Sequence, residues 1–290
     1  MPDACREYTI SAGYFYLTWH GIRNMQLPSS PAWSFCLKHY LFLKCGQGKT
    51  LRMFSDGNTG MVFVIKGQLK VKNADGSAND LPRVFIYGQL DNYRDIYSNV
   101  DTEIVIVVFH PYGFFRLYGM PADEVKGQIV DAGLIYGDPI YLLNDRLSSS
   151  GSYTGSISVI EEYFKDLSKK PKIDTDQLGV ITGSVVKARG QVTIKQLTDL
   201  AGCSERKLER LFQTTIGMSP VKYLQIVRLH YFLSLIRPAG KTASLTWAGL
   251  ESGYYDQAHL IHSFKQATGL TPTQYLSASN SLTVNLLTIE

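Results

Sequence analysis

The sequence lacks the features that mark membrane-spanning and disulfide-rich secreted proteins. None of its apolar runs approaches the roughly 18 residues that a membrane-spanning helix needs. The segment from Met1 onward has no basic stretch followed by a long apolar core, so we expect no secretory signal and a cytoplasmic location. The 290 residues include four cysteines, and none has Cys-x-x-Cys spacing. We therefore expect Cys5, Cys36, Cys45 and Cys203 to be buried or incidental thiols in a reducing compartment.

The common fingerprints of enzyme active sites are also missing. The chain has no Gly-x-Ser-x-Gly segment, no phosphate-binding loop and no dinucleotide-binding glycine pattern. His20, His39 and His110 are far apart in sequence and no His-x-His pair occurs, whereas facial metal ligation usually takes two or three closely placed donors. We therefore predict no catalytic residue, no metal site and no cofactor.

Length and charge divide the chain into two parts. A chain of 290 residues with 44% hydrophobic and 19% charged residues is typical of a soluble globular protein with about two domains. Residues 185–277 contain eleven Lys or Arg and five Asp or Glu, a net charge of +6, whereas the whole chain carries +4. The remaining residues therefore carry −2 together. This distribution is expected when only one part of a protein neutralises phosphates.

Short runs of β-branched and aromatic residues fill the first 110 positions. Gly, Asn, Asp and Pro interrupt them at roughly ten-residue spacing, which favours an antiparallel β sandwich or a small β barrel. The segments 66–68 and 74–77 are the clearest turns. The predicted strands are Tyr14–Trp19, Phe35–Lys44, Leu51–Phe54, Met61–Ile65, Leu69–Lys72, Val84–Tyr87 and Glu103–Phe109.

Helical periodicity begins after His110. Short helices are predicted at 114–117 and after Pro121, and the serine-rich segment 148–152 has the composition of a linker that ends the first domain. Two longer helices, 157–167 and 175–187, follow. The first has an apolar face that packs either on its own domain or on a second subunit. We thus expect an α+β multidomain chain, with domains at 1–147 and 185–277, a helical linker at 148–184 and a tail at 278–290.

A duplication near the C-terminus is the strongest signal in the sequence. Each copy contains a turn, an amphipathic helix and a Gly-x-Ser/Thr-Pro stop, and the copies are 52 positions apart. Six identities in one register are hard to attribute to composition, so we interpret the copies as two helix-turn-helix units. Such a unit places a helix in the DNA major groove. The residues Leu208, Phe212, Gly217, Pro220, Tyr223 and Leu224 recur as Leu260, Phe264, Gly269, Pro272, Tyr275 and Leu276.

The first copy predicts a helix over 194–201, a turn at Gly202, and a second helix that is capped by Ser204 and buries Leu208, Leu211 and Phe212. Its outward stripe carries side chains that suit base edges, because Arg binds guanine, Glu accepts from cytosine and Gln pairs with adenine. An ordinary solvated helix face has a similar composition. The predicted base contacts are Arg206, Glu209, Arg210 and Gln213, and Ser204 and Lys207 are assigned to helix caps or to the DNA backbone.

The second copy has the same plan, with Asp256 at the N-cap and Leu260 and Phe264 on the buried face. An outward apolar Ile261 suits contact with a thymine methyl group, although local packing is the alternative. The predicted base contacts are Gln257, Ala258, Ile261 and His262, and Asp256, Lys265 and Thr271 are assigned to helix caps or to the DNA backbone.

A helix between the copies is predicted to connect them. Ser219 and Pro220 start it, and Pro238 to Gly240 end it. Apolar residues cover most of its surface, so we expect it to be buried between the two units as a rigid strut of about 24 Å. Two helices held by such a strut could enter successive major grooves, roughly one turn of DNA apart.

At these residues the sequence resembles the C-terminal double helix-turn-helix domain of the AraC family of transcriptional regulators. The segment 253–260, with Phe264-Lys265 and 269–272, is similar to the family's signature in its second unit. The resemblance covers about 185–277 and implies sequence-specific binding of double-stranded DNA and control of nearby promoters. Two positions depart from the family pattern: Trp247-Ala248-Gly249 stands where isoleucine and alanine are usual, and His262 stands where arginine is common.

The segment from 107 to 124 resembles the end of the cupin-like sensor domain that precedes this DNA-binding domain in some regulators. That resemblance implies an N-terminal domain that binds a small-molecule effector or forms a homodimer, and thereby tunes DNA binding. RNA polymerase is a further partner of such a regulator, and no membrane partner is expected. Two functions from other classes stay open, a cupin-like metal enzyme and a protein-binding adaptor that carries a helical tail.

Overall fold

The computed structural model describes residues 7–11, 14–19, 22–73, 75–167, 175–277, 281–283 and 285–289. Cys5, His20 and Ala74 lie outside the described residues. Of the other cysteines, Cys36 and Cys45 are buried thiols and Cys203 is half-buried. Within the described ranges, no helix is both long enough and apolar enough to cross a membrane.

Fourteen strands lie within the described ranges, and all their pairings are antiparallel. They are β1 Glu7–Ser11, β2 Tyr14–Trp19, β3 Ile22–Pro28, β4 Leu37–Cys45, β5 Thr50–Met53, β6 Gly60–Lys66, β7 Lys70–Lys72, β8 Ala78–Asp80, β9 Val84–Tyr87, β10 Arg94–Tyr97, β11 Thr102–Phe109, β12 Ile129–Asp131, β13 Ser281–Thr283 and β14 Leu286–Ile289. One sheet has the order β1-β2-β3-β4-β11-β6-β9-β12, and the other has the order β13-β14-β5-β10-β7-β8.

The two sheets share an apolar core. Side chains alternate between the two faces of a strand, so β4, β6 and β11 send every second residue towards the smaller sheet. The described strands form two sheets and no closed barrel, so the sandwich is the predicted arrangement that the structure contains. The shared core includes Leu41, Leu43, Val62, Val64, Ile104 and Ile106 from the larger sheet and Leu51, Met53, Ile96 and Leu286 from the smaller one.

Helices cover the other face of the larger sheet. They are α1 Gly113–Tyr118, α2 Gly133–Tyr136, α3 Pro139–Ser148 and α4 Tyr153–Leu167, with a 3-10 turn at Ala122–Val125. Ile160 and Phe164 of α4 are fully buried in the same cluster as Phe63 and Phe109, which confirms packing on the helix's own chain. Helix α4, which follows the serine-rich segment 148–152, thus contributes to the apolar core under the larger sheet.

The C-terminal part is helical and contains seven helices within the described residues. They are α5 Asp176–Lys187, α6 Ile194–Ala201, α7 Glu205–Ile216, α8 Pro220–Ala239, α9 Leu245–Glu251, α10 Gln257–Thr268 and α11 Pro272–Ser277. The predicted helices over 175–187, 194–201 and from Ser204 onward agree with α5, α6 and α7. The division of the chain into domains at 147, 184 and 277 stays a prediction.

Several strands were not predicted from the sequence. The β8 segment is exposed throughout, and β10 buries one residue of four, so neither has an apolar run that would mark a strand. The tail after Ser277 had no assignment, yet β14 pairs with β5, with Leu286 opposite Met53 and Ile289 opposite Thr50. Main-chain hydrogen bonds therefore decide the conformation of these segments, with the neighbouring strand β7 as the partner of β8 and the distant strand β5 as the partner of β10 and β14.

Candidate nucleic-acid interface

The first helical unit consists of α6 and α7, joined by a tight turn. Gly202 ends α6 in the left-handed region at φ 58°, a conformation that glycine adopts without steric cost. Thr193 starts α6 with a capping box, in which its Oγ1 accepts from the Gln196 N–H at 3.2 Å and Gln196 Oε1 accepts from the Thr193 N–H at 2.8 Å. Ser204 caps α7 by accepting from the Lys207 N–H at 3.3 Å.

The two faces of α7 differ as the sequence predicts. Leu208 and Phe212 are fully buried. Four residues of the opposite face are exposed, and Gln213 is half-buried and donates to Glu209 at 3.1 Å. Among the described residues, the three cations on this face have no ion-pair partner, so their charges are open to solvent. The four exposed residues are Arg206, Lys207, Glu209 and Arg210.

The second unit repeats this geometry with α9 and α10. Asp256 caps α10, and its Oδ1 accepts from the His259 N–H at 2.7 Å. Leu260 and Phe264 are buried. Thr271 caps α11 by accepting from the Gln274 N–H at 3.2 Å. The remaining residues that were predicted to contact DNA are all exposed on α10, and they are Gln257, Ala258, Ile261, His262 and Lys265.

Gly249 explains one departure from the family pattern. This residue is buried in α9, and a Cβ there would lie 3.0 Å from Cδ2 of Leu260 on α10. A glycine in a helix costs about 1 kcal/mol relative to alanine. Because glycine has no side chain, α9 can approach α10 closely. The packing between the two helices offsets the low helix propensity of glycine.

The strut α8 is longer than predicted, with twenty residues and a length of about 30 Å. Its two halves pack on different units. Tyr223, Leu224 and Ile226 share a core with α6 and α7. The second half shares a core with α9 and α10 through Leu229, Phe232, Leu233 and Ile236. The two capped helices are therefore attached to opposite halves of one helix, which buries a different set of side chains against each unit.

Two family models match the chain at separate segments. Residues 197–278 match the family described as helix-turn-helix domain, and residues 25–131 match a domain of unknown function, DUF6597. Residues 197–278 are a helix-turn-helix domain of the AraC type. This confirms the domain type that the duplication predicted. The second match covers most of the β sandwich and assigns no activity to it.

A curated relative is similar to part of the chain. An uncharacterized HTH-type transcriptional regulator of Haemophilus influenzae is 39% identical over 82 residues, which are 28% of this chain and 27% of that protein. The chain thus covers about a quarter of the relative's length.

Among solved structures, ToxT from Vibrio cholerae is 12% identical with a TM-score of 0.47, and the match covers 81% of this chain and 96% of that one. A probable AraC family transcriptional regulator from Rhodopseudomonas palustris is 24% identical with a TM-score of 0.33, over 36% of this chain and 98% of that one.

A cavity between the β sandwich and the helix-turn-helix domain was not predicted. Its volume is about 810 Å³. The walls include apolar residues of both parts, such as Ile106 and Val227, and polar residues gather around Lys38. The three histidines His39, His110 and His230 come from distant positions and line the same cavity. Sequence reasoning missed this group because no motif connects residues 39, 110 and 230.

Charges in the cavity are set by burial and by Asp56. Burial on its own would raise the pKa of Asp56, but Lys38, His230 and hydrogen bonds from Asn58 outweigh it, and the pKa lies below its usual value. Burial lowers the pKa of His39 to about 4, and Lys38 adds to this effect. Burial also lowers the pKa values of His110 and His230. At neutral pH the three histidines are therefore uncharged, and the Asp56 carboxylate is ionised.

These polar groups do not form a metal centre in the part of the chain that the structure describes. No group of three or more His, Cys, Asp or Glu side chains is close enough there to hold a metal ion. Asn58 donates to the Asp56 carboxylate at 2.7 Å, and a ring nitrogen of His230 lies 3.0 Å from the Ser55 carbonyl oxygen. The arrangement thus supplies hydrogen bonds to the cavity, which is also lined by the cationic side chains of Lys38, Lys187 and Arg189.

Proposed function

We propose that the protein is a sequence-specific DNA-binding transcription regulator whose two helices α7 and α10, called the reading helices below, enter successive major grooves. The observation that carries the proposal is the attachment of two capped helices with exposed polar faces to one buried strut. The family match to residues 197–278 supports it. The net positive charge of the same region supplies the attraction to phosphates.

Base contacts are proposed for the exposed stripes of the two reading helices. On α7 the contacts are Arg206, Glu209, Arg210 and Gln213, and on α10 they are Gln257, Ala258, Ile261 and His262. Helix caps leave backbone N–H groups at a helix start, where phosphates bind well. We therefore propose that Ser204, Lys207, Lys265 and Thr271 contact the DNA backbone at the ends of the helices, and that the anionic Asp256 serves as the cap of α10.

Selection of bound sequences from a random pool of DNA duplexes, at several salt concentrations, tests this proposal. We expect enrichment of a site with two short conserved blocks about ten base pairs apart, since reading helices on one face of DNA are separated by one turn. Affinity should fall steeply as salt rises, because bound cations displace phosphate counterions. A protein-binding adaptor would bind no DNA, and enrichment of no sequence would refute sequence-specific reading.

We further propose that the cavity takes a small-molecule effector that is largely apolar and has a hydrogen-bonding end. Ligand sites of this size are usually apolar and contain a few convergent polar groups. The fluorescent apolar anion 8-anilinonaphthalene-1-sulfonate is a suitable probe, and we expect one site per chain. Val227→Trp fills the cavity and should abolish the site, whereas Val221→Trp, on an exposed position of the same helix, should not. Equal binding by both variants would contradict the assignment.

The remaining partners follow from the same role. We propose that the protein acts without catalysis in the cytoplasm, where it contacts DNA, and that RNA polymerase and a second copy of the chain are its protein partners. The metal-enzyme alternative is tested by metal analysis of the purified protein. A stoichiometric bound transition metal would favour that alternative.

A further inference from the structure

The two reading helices end at equivalent glycines, and both glycines lie against the β sandwich. Gly217 ends α7 at φ 84° and Gly269 ends α10 at φ 74°. A Cβ at Gly217 would lie 2.9 Å from the carbonyl oxygen of Ala122, and a Cβ at Gly269 would lie 2.8 Å from Nη1 of Arg52. Both partners belong to the N-terminal part of the chain. The equivalent glycine of each helix-turn-helix unit therefore contacts the N-terminal part of the chain, which is not itself duplicated.

At the second reading helix, Arg52 forms the contact. Its guanidinium pairs with both oxygens of Asp95 at 2.7 Å and stacks on the ring of Tyr93 at 3.8 Å. Its third nitrogen donates to the carbonyl oxygen of Thr268, the last residue of α10, at 3.4 Å. Carbonyl groups at a helix C-terminus lack partners within the helix and attract cations. Arg52 is held by two groups of the smaller sheet and therefore fixes the end of α10.

At the first reading helix, the contact is made by main chain and by Gln89. A Cβ at Gly217 would lie 3.4 Å from Cγ of Gln89, which is almost fully buried and donates to the Gly57 carbonyl at 2.8 Å. Gly57 in turn lies against the ring of Tyr223 in α8, where an added Cβ would be 2.9 Å from Cε2. Two loops of the sandwich, 88–93 and 54–59, thus contact the end of α7 and the start of the strut, and the bond from Gln89 to Gly57 joins them.

The C-terminal strand adds a third attachment. On β14, neighbouring side chains point to opposite faces of the strand. Leu286 lies in the core shared by the two sheets, whereas Leu287, 1% exposed, lies in the apolar cluster of the second helix-turn-helix unit. Phe54, at the end of β5, belongs to the same cluster. Adjacent residues of one strand are therefore buried in two different domains.

We infer that the β sandwich sets the relative placement of the two reading helices, with Tyr93 and Leu287 as positioning residues, and so selects the spacing between the two DNA half-sites. The inference rests on the proposed DNA-binding function. The strut alone connects the units through one helix, whereas the sandwich contacts the C-terminal end of each reading helix. A change in spacing would require these contacts to break.

The test measures the affinity of the full chain for duplexes in which the selected half-sites are moved apart by one or two base pairs. We expect the wild type to prefer its own spacing by about tenfold, which corresponds to about 1.4 kcal/mol. Tyr93→Ala and Leu287→Ala should reduce this preference to less than about threefold, since each removes part of one attachment. Tyr93→Phe keeps the stacked ring and should retain the full preference. Tyr97→Ala removes a half-buried tyrosine from β10, the strand that begins directly after Tyr93, and serves as the matched control; its ring lies near Lys72.

Thermal unfolding shows which variants are folded, and Leu287→Ala provides an independent test if Tyr93→Ala does not fold. A wild-type spacing preference in both folded variants would overturn the inference while leaving the DNA-binding proposal intact. Loss of preference in the Tyr97→Ala control as well would also overturn it, because the effect would then be general destabilisation. A wild type that shows no salt-dependent DNA binding would instead refute the proposed function.

Discussion

Arg210→Ala separates the base-reading role of α7 from its contribution to the fold. The Arg210 side chain is exposed and has no ion-pair partner among the residues of the described chain. Substitution of such a surface residue changes the free energy of unfolding by less than about 0.5 kcal/mol. The helix itself should persist, because Ala has the highest helix propensity and the buried face of Leu208 and Phe212 is unchanged.

The expected effect on DNA binding is much larger. Loss of a bidentate contact to guanine costs about 1 to 3 kcal/mol, which corresponds to a rise in Kd of roughly 5-fold to 160-fold on the preferred site. The loss should be confined to sites with the preferred base at one position. Fluorescence anisotropy with duplexes that carry each of the four bases at every position measures the rise in Kd on the preferred site and the change in base preference at each position.

Lys207→Ala is the comparison, because Lys207 is proposed to contact a phosphate from the same helix. It should weaken binding uniformly across sequences and reduce the slope of log affinity against log salt by about 1. If Arg210→Ala also weakens all sequences equally and leaves the base preference unchanged, then the assignment of Arg210 as a base contact is wrong.

Three further predictions concern the fold that supports the interface. Asp256→Ala should lower the free energy of unfolding by about 1 kcal/mol because it removes the 2.7 Å cap of α10, whereas Asp256→Asn should keep most of it; chemical denaturation compares the two, and equal losses would contradict the capping role. Phe264→Ala removes a fully buried ring that packs edge-on against Phe232 at 5.8 Å between centroids, so we expect a loss of about 3 to 5 kcal/mol in the same assay, and a loss below about 1 kcal/mol would be inconsistent with this packing. Burial lowers the pKa of His39 from 6.5 to about 4, so between these pH values the unfolded chain binds a proton that the folded chain does not. The free energy of unfolding should therefore decrease as pH falls from about 6.5 towards 4. Urea unfolding of His39→Gln should show a shallower decrease than that of the wild type. Identical pH profiles for the two proteins would contradict the lowered pKa of His39.

The helix-turn-helix domain could be predicted from the sequence because local signals define it. The caps at Ser204 and Asp256, the glycines after α7 and α10 and the apolar spacing of each helix depend on residues within one or two turns. Because the unit is duplicated, each signal occurs twice in the same order, which makes a chance match to the helix-turn-helix pattern less probable. The exposed stripe of each reading helix follows from the same periodicity, because burial of Leu208 or Leu260 leaves the opposite face in solvent.

The strands of the sandwich were partly predictable for the same reason. Long apolar runs such as Met61 to Ile65 predict strands by themselves. The polar strands β8 and β10 do not. Strand β8 has no apolar run and is defined by its pairing with the neighbouring strand β7, and β10 depends on main-chain hydrogen bonds to β5, which is distant in sequence. Sheet order was equally hidden, since β11 lies between β4 and β6 and is therefore paired across long stretches of chain.

Local patterns along the chain are enough to establish two capped helices with buried Leu and Phe residues and exposed polar stripes, one on either side of an apolar helix. Periodicity and capping act over a few residues and need no knowledge of the rest of the molecule. Only the tertiary structure decided that Gly217 and Gly269 lie against the β sandwich, that Leu286 and Leu287 are buried in different domains, and that three distant histidines line one cavity. These relations depend on which surfaces meet when the chain folds, and the residues involved are separated by up to about two hundred positions.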